Sequence, residues 1–156
     1  MGLDNLYKKI VALEAFSASK VIADIINENG DYISSLLRSQ LEKGKDGLGQ
    51  DLTLKRNGGV FPYYSDRTIF EKTRKGQNTE WITYKDSGAF YTSIYVYASG
   101  TSFIFDSDVP YFSDIILKSG SGEETMYLDK ENLSIFRNEI LIPQFKIAFQ
   151  LKVTNV

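Results

Sequence analysis

The sequence predicts an α+β chain, with helices at both ends, a β-hairpin between them and extended loops joining the parts. Three observations carry this. At the N-terminal end Tyr7, Val11, Ala15, Ala18, Ile22 and Ile25 recur every three or four positions, the period of an amphipathic helix. Near the C-terminal end Leu133, Phe136, Ile140, Ile147 and Leu151 do the same. Between them Phe90, Thr92, Ile94 and Val96 alternate with Tyr91, Ser93, Tyr95 and Tyr97, the period of a half-buried strand.

The first helix is expected over Asn5–Glu28, roughly 36 Å at 1.5 Å per residue. Asp4 is placed to cap its start and Asn29-Gly30 to stop it with a left-handed residue. A second helix is expected over Tyr32–Lys43, with Ile33, Leu36, Leu37 and Leu41 as its stripe and Asp31 as its cap. The composition then changes. Gly44-Lys45-Asp46-Gly47-Leu48-Gly49-Gln50-Asp51 reads as a flexible Gly-rich loop, and Leu52–Lys55 as a short strand. Residues 58–78 have few periodic apolar positions and many charges, and read as an irregular excursion holding a short helix near Ser65–Lys72. Trp81–Tyr84 offers a further strand. The main hairpin is expected over Phe90–Tyr97 and Thr101–Asp106, joined through Ala98–Gly100. Ser119-Gly120-Ser121-Gly122 has the composition of an exposed loop. The last helix starts near Asp129, and Pro143 in its middle should kink or break it.

Composition excludes several function classes. The 156 residues contain no cysteine, which removes disulfides and thiolate metal sites, and no histidine, which removes the commonest metal ligand and general base. No apolar run reaches the length of a membrane span, and Met1–Asn5 does not read as a secretory leader. A net charge of −2 gives no broad attraction to nucleic acid. Ten Tyr, ten Phe and one Trp bring aromatics to 13 %. Such residues dominate cores and interfaces, which favours a part that packs or assembles over an enzyme. No catalytic residue, cofactor site or metal site is expected.

The local motifs support this. Gly44-Lys45-Asp46 fails the Gly-Lys-Ser/Thr run of a phosphate loop. Asp106-Ser107-Asp108-Val109-Pro110 breaks the ligand spacing of a calcium loop at its fifth position. Glu123 and Glu124 read as solvated. Lys55, Arg56, Arg67, Lys72, Arg74 and Lys75 form one basic zone interleaved with Tyr63, Tyr64 and Phe70. Its first reading is a protein interface, ahead of a solvated loop and of nucleic-acid binding. The interface candidates are Phe61, Tyr63, Tyr64, Arg67, Phe70, Lys72, Arg74 and Lys75, in a segment expected to leave the body and gain its order from another chain. Tyr91, Tyr95 and Tyr97 share one strand face, which either covers the core or forms an exposed aromatic stripe.

Residues 59–96 also carry a resemblance. Phe61-Pro62-Tyr63 is followed by Ser65-Asp66-Arg67-Thr68, a basic tract, and Lys85-Asp86-Ser87-Gly88-Ala89-Phe90-Tyr91-Thr92-Ser93-Ile94. This order resembles the tailed-phage virion-morphogenesis and tail-completion proteins, the minor head–tail joining group. Ser65 and Thr68 match its first step, and Ser87, Gly88, Phe90, Ser93 and Ile94 its second. Ile142-Pro143 resembles the helix that closes those domains. The resemblance implies one domain over residues 1–156, with a loop excursion at about 44–80 and a small antiparallel sheet packed against long terminal helices. It implies a ring-forming virion subunit at the head–tail junction or tail terminus, assembled in the host cytoplasm with other neck or tail proteins. DNA would pass through its lumen without specific binding, and no membrane would be involved. The alternative is a monomeric nucleic-acid- or protein-binding α+β module. The residues of the second step read as a fold device. Gly88 should supply a positive φ, Ser87 and Ser93 should bond nearby backbone groups, and Phe90 and Ile94 should begin the buried face.

Overall fold

The structure is a computed structural model describing residues 3–154. It is α+β. Helices α1 (Leu3–Glu14), α2 (Ala18–Glu28) and α3 (Gly30–Glu42) come first. A small hairpin, β1 (Leu54–Arg56) and β2 (Gly59–Phe61), is followed by α4 (Asp66–Arg74). A one-turn helix α5 (Ala89–Ser93) leads into the second hairpin, β3 (Ile94–Ser99) and β4 (Ser102–Ser107). Then come α6 (Phe112–Lys118), a 3-10 turn (Gly122–Met126), α7 (Lys130–Ile135), a π-helical turn (Phe136–Leu141) and α8 (Ile142–Thr154). Both hairpins are antiparallel and separate, with register Arg56↔Gly59 in one and Ser99↔Ser102 in the other.

The core lies where α2, α3 and the π-turn meet the inner face of β3–β4. Ile26, Ile33, Leu37, Leu41, Leu52, Ile82 and Ile94 are fully buried there. The β alternation puts Ile94, Val96, Phe103 and Phe105 on this face, and Phe103 meets Phe105 and Phe136 edge-on.

The terminal helices differ from expectation in instructive ways. The single helix over Asn5–Glu28 is two, because the chain breaks at Ala15–Ser17. Ser17 is an N-cap whose hydroxyl accepts from Lys20 N–H, and Phe16 swings out to meet Phe145 and Phe149 edge-on, at 5.7 and 5.3 Å. The break consumes about one turn, so the apolar period runs through it unchanged. Helix α1 begins at Leu3, before Asp4, whose side chain lies outside the described residues. No left-handed residue ends α2. Asn29 has φ −108° and Gly30 opens α3, with Asp31 in its first turn and no side-chain cap. Pro143 neither breaks nor ends the last helix. The π-turn precedes it, Ile142 N–H reaches back five residues to Arg137 C=O, and the helix continues. The helix starts next to Asp129, as the sequence predicts, and the Asp129 carboxylate caps it by accepting from Asn132 N–H at 2.8 Å.

Phe90–Ser93 is helical, not strand, so β3 starts at Ile94. Gly88 has φ 92°, and turns the chain into that helical turn. Phe90 and Ile94 are four apart, a spacing that satisfies a helix and a strand equally. Trp81–Tyr84 runs without strand pairing.

Candidate functional site

The basic segment is ordered within its own chain. The turn Asn57-Gly58, with both φ positive, closes β1–β2, the backbone preference of a two-residue hairpin. Ser65 caps α4 by accepting from Thr68 N–H. Two of the interface candidates are buried. Tyr64, 5 % exposed, accepts from Thr83 N–H at 2.8 Å. Lys72, 7 % exposed, donates to Lys85 C=O and to Gln77 Oε1, and its ammonium lies 4.8 Å from the Tyr64 ring. These two anchor the segment to its own body, so a partner is not needed to order it, contrary to expectation. Phe61 and Tyr63 stand edge-to-face with Arg56 over both rings, and Arg74 lies over Phe70. Arg67 pairs with Glu71 at 3.1 Å, Lys75 with Asp86, and Lys85 with Glu42 at 2.8 Å. Of the six cations in the zone, Arg67 and Lys75 are matched by carboxylates and Lys72 is buried on neutral oxygens. Phe70, Tyr63 and Val60 remain exposed.

The Ser87–Ile94 motif takes the form of a fold device. Ser87 Oγ accepts from Ala89 N–H, and Ser93 Oγ donates to Phe90 C=O and meets Ser107 Oγ at 2.6 Å. Phe90 and Ile94 are buried. Tyr91 departs from the stripe: it lies in α5, buried, and donates to Thr83 C=O. Tyr95 and Tyr97 are exposed on the outer face of β3. Burial holds the Tyr91 phenol protonated far above its usual range, and pushes the Tyr84 phenol up to about 12. Tyr84 itself has φ 54° and donates to Thr53 C=O at 2.6 Å. Both phenols are neutral structural donors.

The acidic and Gly-rich candidates also resolve. The Gly44–Asp51 segment is not a free loop. Asp46 is buried and accepts from Leu48 N–H, Gln50 N–H and Ser121 Oγ, at 2.9, 2.9 and 2.7 Å. Ser119–Gly122 is not an exposed loop either. Ser119 is fully buried against Thr125, and Gly120 N–H donates to Thr53 C=O at 2.8 Å. Gln40, another buried polar residue, donates to Tyr127 C=O and accepts from Asp129 N–H, tying α3 to the start of α7. Among the described residues no three acidic side chains converge on one point, and no helix is long and apolar enough to cross a membrane.

Two apolar surfaces went unseen in the sequence. A cleft of about 1130 Å³ lies between β4, α6, the 3-10 turn and α7, walled by Phe103, Phe105, Phe112, Ile116, Met126 and Leu133. A second, of about 550 Å³, lies between α1 and α8, beside Tyr7, Val11 and Leu151. Among its described side chains helix α1 buries only Ala12 and leaves Leu6, Tyr7, Ile10, Val11 and Leu13 between 43 and 69 % exposed. Its amphipathic pattern was legible, but not that its apolar stripe lacks a full cover. No family model, curated protein or solved structure matches the chain.

Proposed function

We propose that this chain is a structural subunit that acts by self-assembly and not by catalysis, forming a ring at the head–tail junction or tail terminus of a tailed-phage virion. The observation that carries the assembly is the pair of unlike apolar surfaces, the α1–α8 face and the cleft beside β4. Monomeric proteins seldom leave such patches uncovered, and two unlike surfaces on one chain suit a heterologous contact, which closes into a ring when the rotation permits. The resemblance over residues 59–96 and at Ile142-Pro143 directs that assembly to the virion neck or tail. The local pairing of Arg67, Lys75 and Lys85 with carboxylates favours this over a DNA grip.

A second reading, a monomeric nucleic-acid- or protein-binding module, rests on Lys55, Arg56 and Arg74, which have no carboxylate partner among the described residues. Light scattering on the purified chain, with and without duplex DNA, separates the two. The assembly reading expects a mass above the monomer that DNA leaves unchanged, and annular particles by electron microscopy. A monomer that binds DNA would overturn it. Immunogold labelling of virions tests the location, and Arg74→Glu should leave the fold intact and reduce incorporation.

A further inference from the structure

Two hairpins have four outer edges, and the chain closes two of them. Ala98 N–H on β3 donates to Asn27 Oδ1 at 3.0 Å, and Ile94 C=O accepts from Arg38 at 2.7 Å. On the β1 side, Gly120 N–H donates to Thr53 C=O, Leu54 bridges to Ser119, and Tyr84 also donates to Thr53 C=O. The edges of β2 and β4 have no such cover among the described residues. In a two-residue hairpin the pair flanking the turn exchanges both hydrogen bonds, so alternate residues turn their backbone groups outward. The register makes these Val60 on β2 and Phe103 and Phe105 on β4. An open strand edge is a template for another strand.

We propose that neighbouring copies join by strand addition, the β2 edge of one copy pairing with the β4 edge of the next, so that two hairpins become one four-stranded sheet. This rests on the self-assembly proposed above; it seats the β2 edge of one copy at the cleft beside β4 of the next and leaves the α1–α8 face outside this contact. Charge selects the pairing. On the first hairpin Lys55 stands across the ladder from Val60 and Arg56 lies over the Phe61 ring of β2, while Asp106, Asp108 and Glu123 lie in or beside β4, and none of the five has an ion-pair partner among the described residues. Pairing β4 with β4 would bring acid against acid, and β2 with β2 base against base. Only the unlike pairing is attractive, and it is heterologous. The chemistry at the edge agrees. Val60 and Tyr63 are exposed apolar side chains beside β2, and the cleft beside β4 is apolar and, at about 1130 Å³, beyond the roughly 300–1,000 Å³ of small-molecule sites.

The test uses the full chain in sedimentation equilibrium. Wild type should gain mass with concentration and lose it as salt rises. Val60→Pro removes the outward donor of β2 at a position where an edge strand tolerates proline. Ile104→Lys places a charge on the exposed face of β4. Each variant alone should lose concentration-dependent mass while keeping the wild-type circular dichroism. An equimolar mixture should form a one-to-one dimer and nothing larger, because one copy keeps β2 and the other keeps β4. In wild type, amide exchange at Val60, Phe103 and Phe105 should slow on association. If either variant assembles like wild type, if the mixture stays monomeric, or if those amides exchange unchanged on association, the strand pairing is wrong and assembly through another surface stands. If wild type is monomeric at every concentration, self-assembly itself fails and this contact with it.

Discussion

Gly120→Ala probes the close approach that seals the β1 edge. An added methyl carbon would lie 1.8 Å from Thr53 Oγ1, 2.8 Å from Thr53 Cβ and 2.9 Å from Val60 Cγ1. The Thr53 hydroxyl can leave by rotating about χ1. Its Cβ cannot, because it moves only with the main chain, and Thr53 C=O is held by Gly120 N–H at 2.8 Å and by Tyr84 Oη at 2.6 Å. The strand must therefore shift, or the Gly120–Thr53 bond must lengthen. Overpacking of this kind costs about 1–3 kcal/mol. For a domain of this size that lowers Tm by about 2–12 °C, at roughly 2–4 °C per kcal/mol. Urea denaturation followed by circular dichroism measures it. Thr53→Ala removes the Oγ1 contact and leaves the Cβ contact, so the double variant should recover part of the loss, with a coupling of about 0.5 kcal/mol or more. A Gly120→Ala protein within about 0.5 kcal/mol of wild type, the range of neutral surface changes, would show that Ser119–Gly122 is the loose loop its composition implies and that the close approach is not real.

Other expectations follow from the same packing. Gln40→Leu keeps the volume but strands Tyr127 C=O and Asp129 N–H, which at about 1–2 kcal/mol each should cost about 2–4 kcal/mol in urea denaturation. Gly88→Ala meets no side chain or backbone within 4 Å, so its cost is that of φ 92° alone, about 1 kcal/mol or more by the same assay. Tyr84 has a folded pKa near 12 against the usual 10. Its stabilising contribution is therefore complete below pH 10 and is lost as pH rises from 10 towards 12, about 2–3 kcal/mol in all. Tyr84→Phe should flatten that part of a stability–pH curve, and an unchanged slope would assign the alkaline loss elsewhere.

The sequence exposed the fold class and most elements because period and turn chemistry are local. Gly88 takes the positive φ the sequence predicts, and the helices begin near Ser65 and Asp129 as expected; the Asn57-Gly58 turn obeys the same local chemistry, although residues 58–78 read as irregular. What escaped depends on partners far along the chain. Phe16 breaks the first helix to reach Phe145 and Phe149. Asp46 and Ser121 draw two Gly-rich stretches into one buried knot although 75 positions separate them. Lys72 reads as an interface residue because its partners, Lys85 C=O and the Tyr64 ring, carry no signal in sequence. Strand edges are harder still. Whether an edge is open depends on which helix passes beside it, and no local pattern encodes that.

The π-turn ahead of Pro143 has a consequence for how this chain can vary. It holds one extra residue within an otherwise continuous helix, and its wider turn absorbs the roughly 100° of rotation that the residue would otherwise add. Leu133 can then line the cleft while Phe136 enters the core and Gln144 reaches Asn29, hydrogen-bonded at 3.0 Å. Substitutions at exposed Arg137, Asn138 and Glu139 leave this phase intact. Losing any one of those residues would let the wide turn close into an ordinary α-helical one, its five-back hydrogen bonds replaced by four-back bonds and the helix on either side kept in nearly the same phase. The exposed positions of the π-turn should therefore drift in composition and tolerate the loss of one residue, whereas a residue lost elsewhere between Asp129 and Gln144 would turn Phe145 and Phe149 by about 100° away from Phe16.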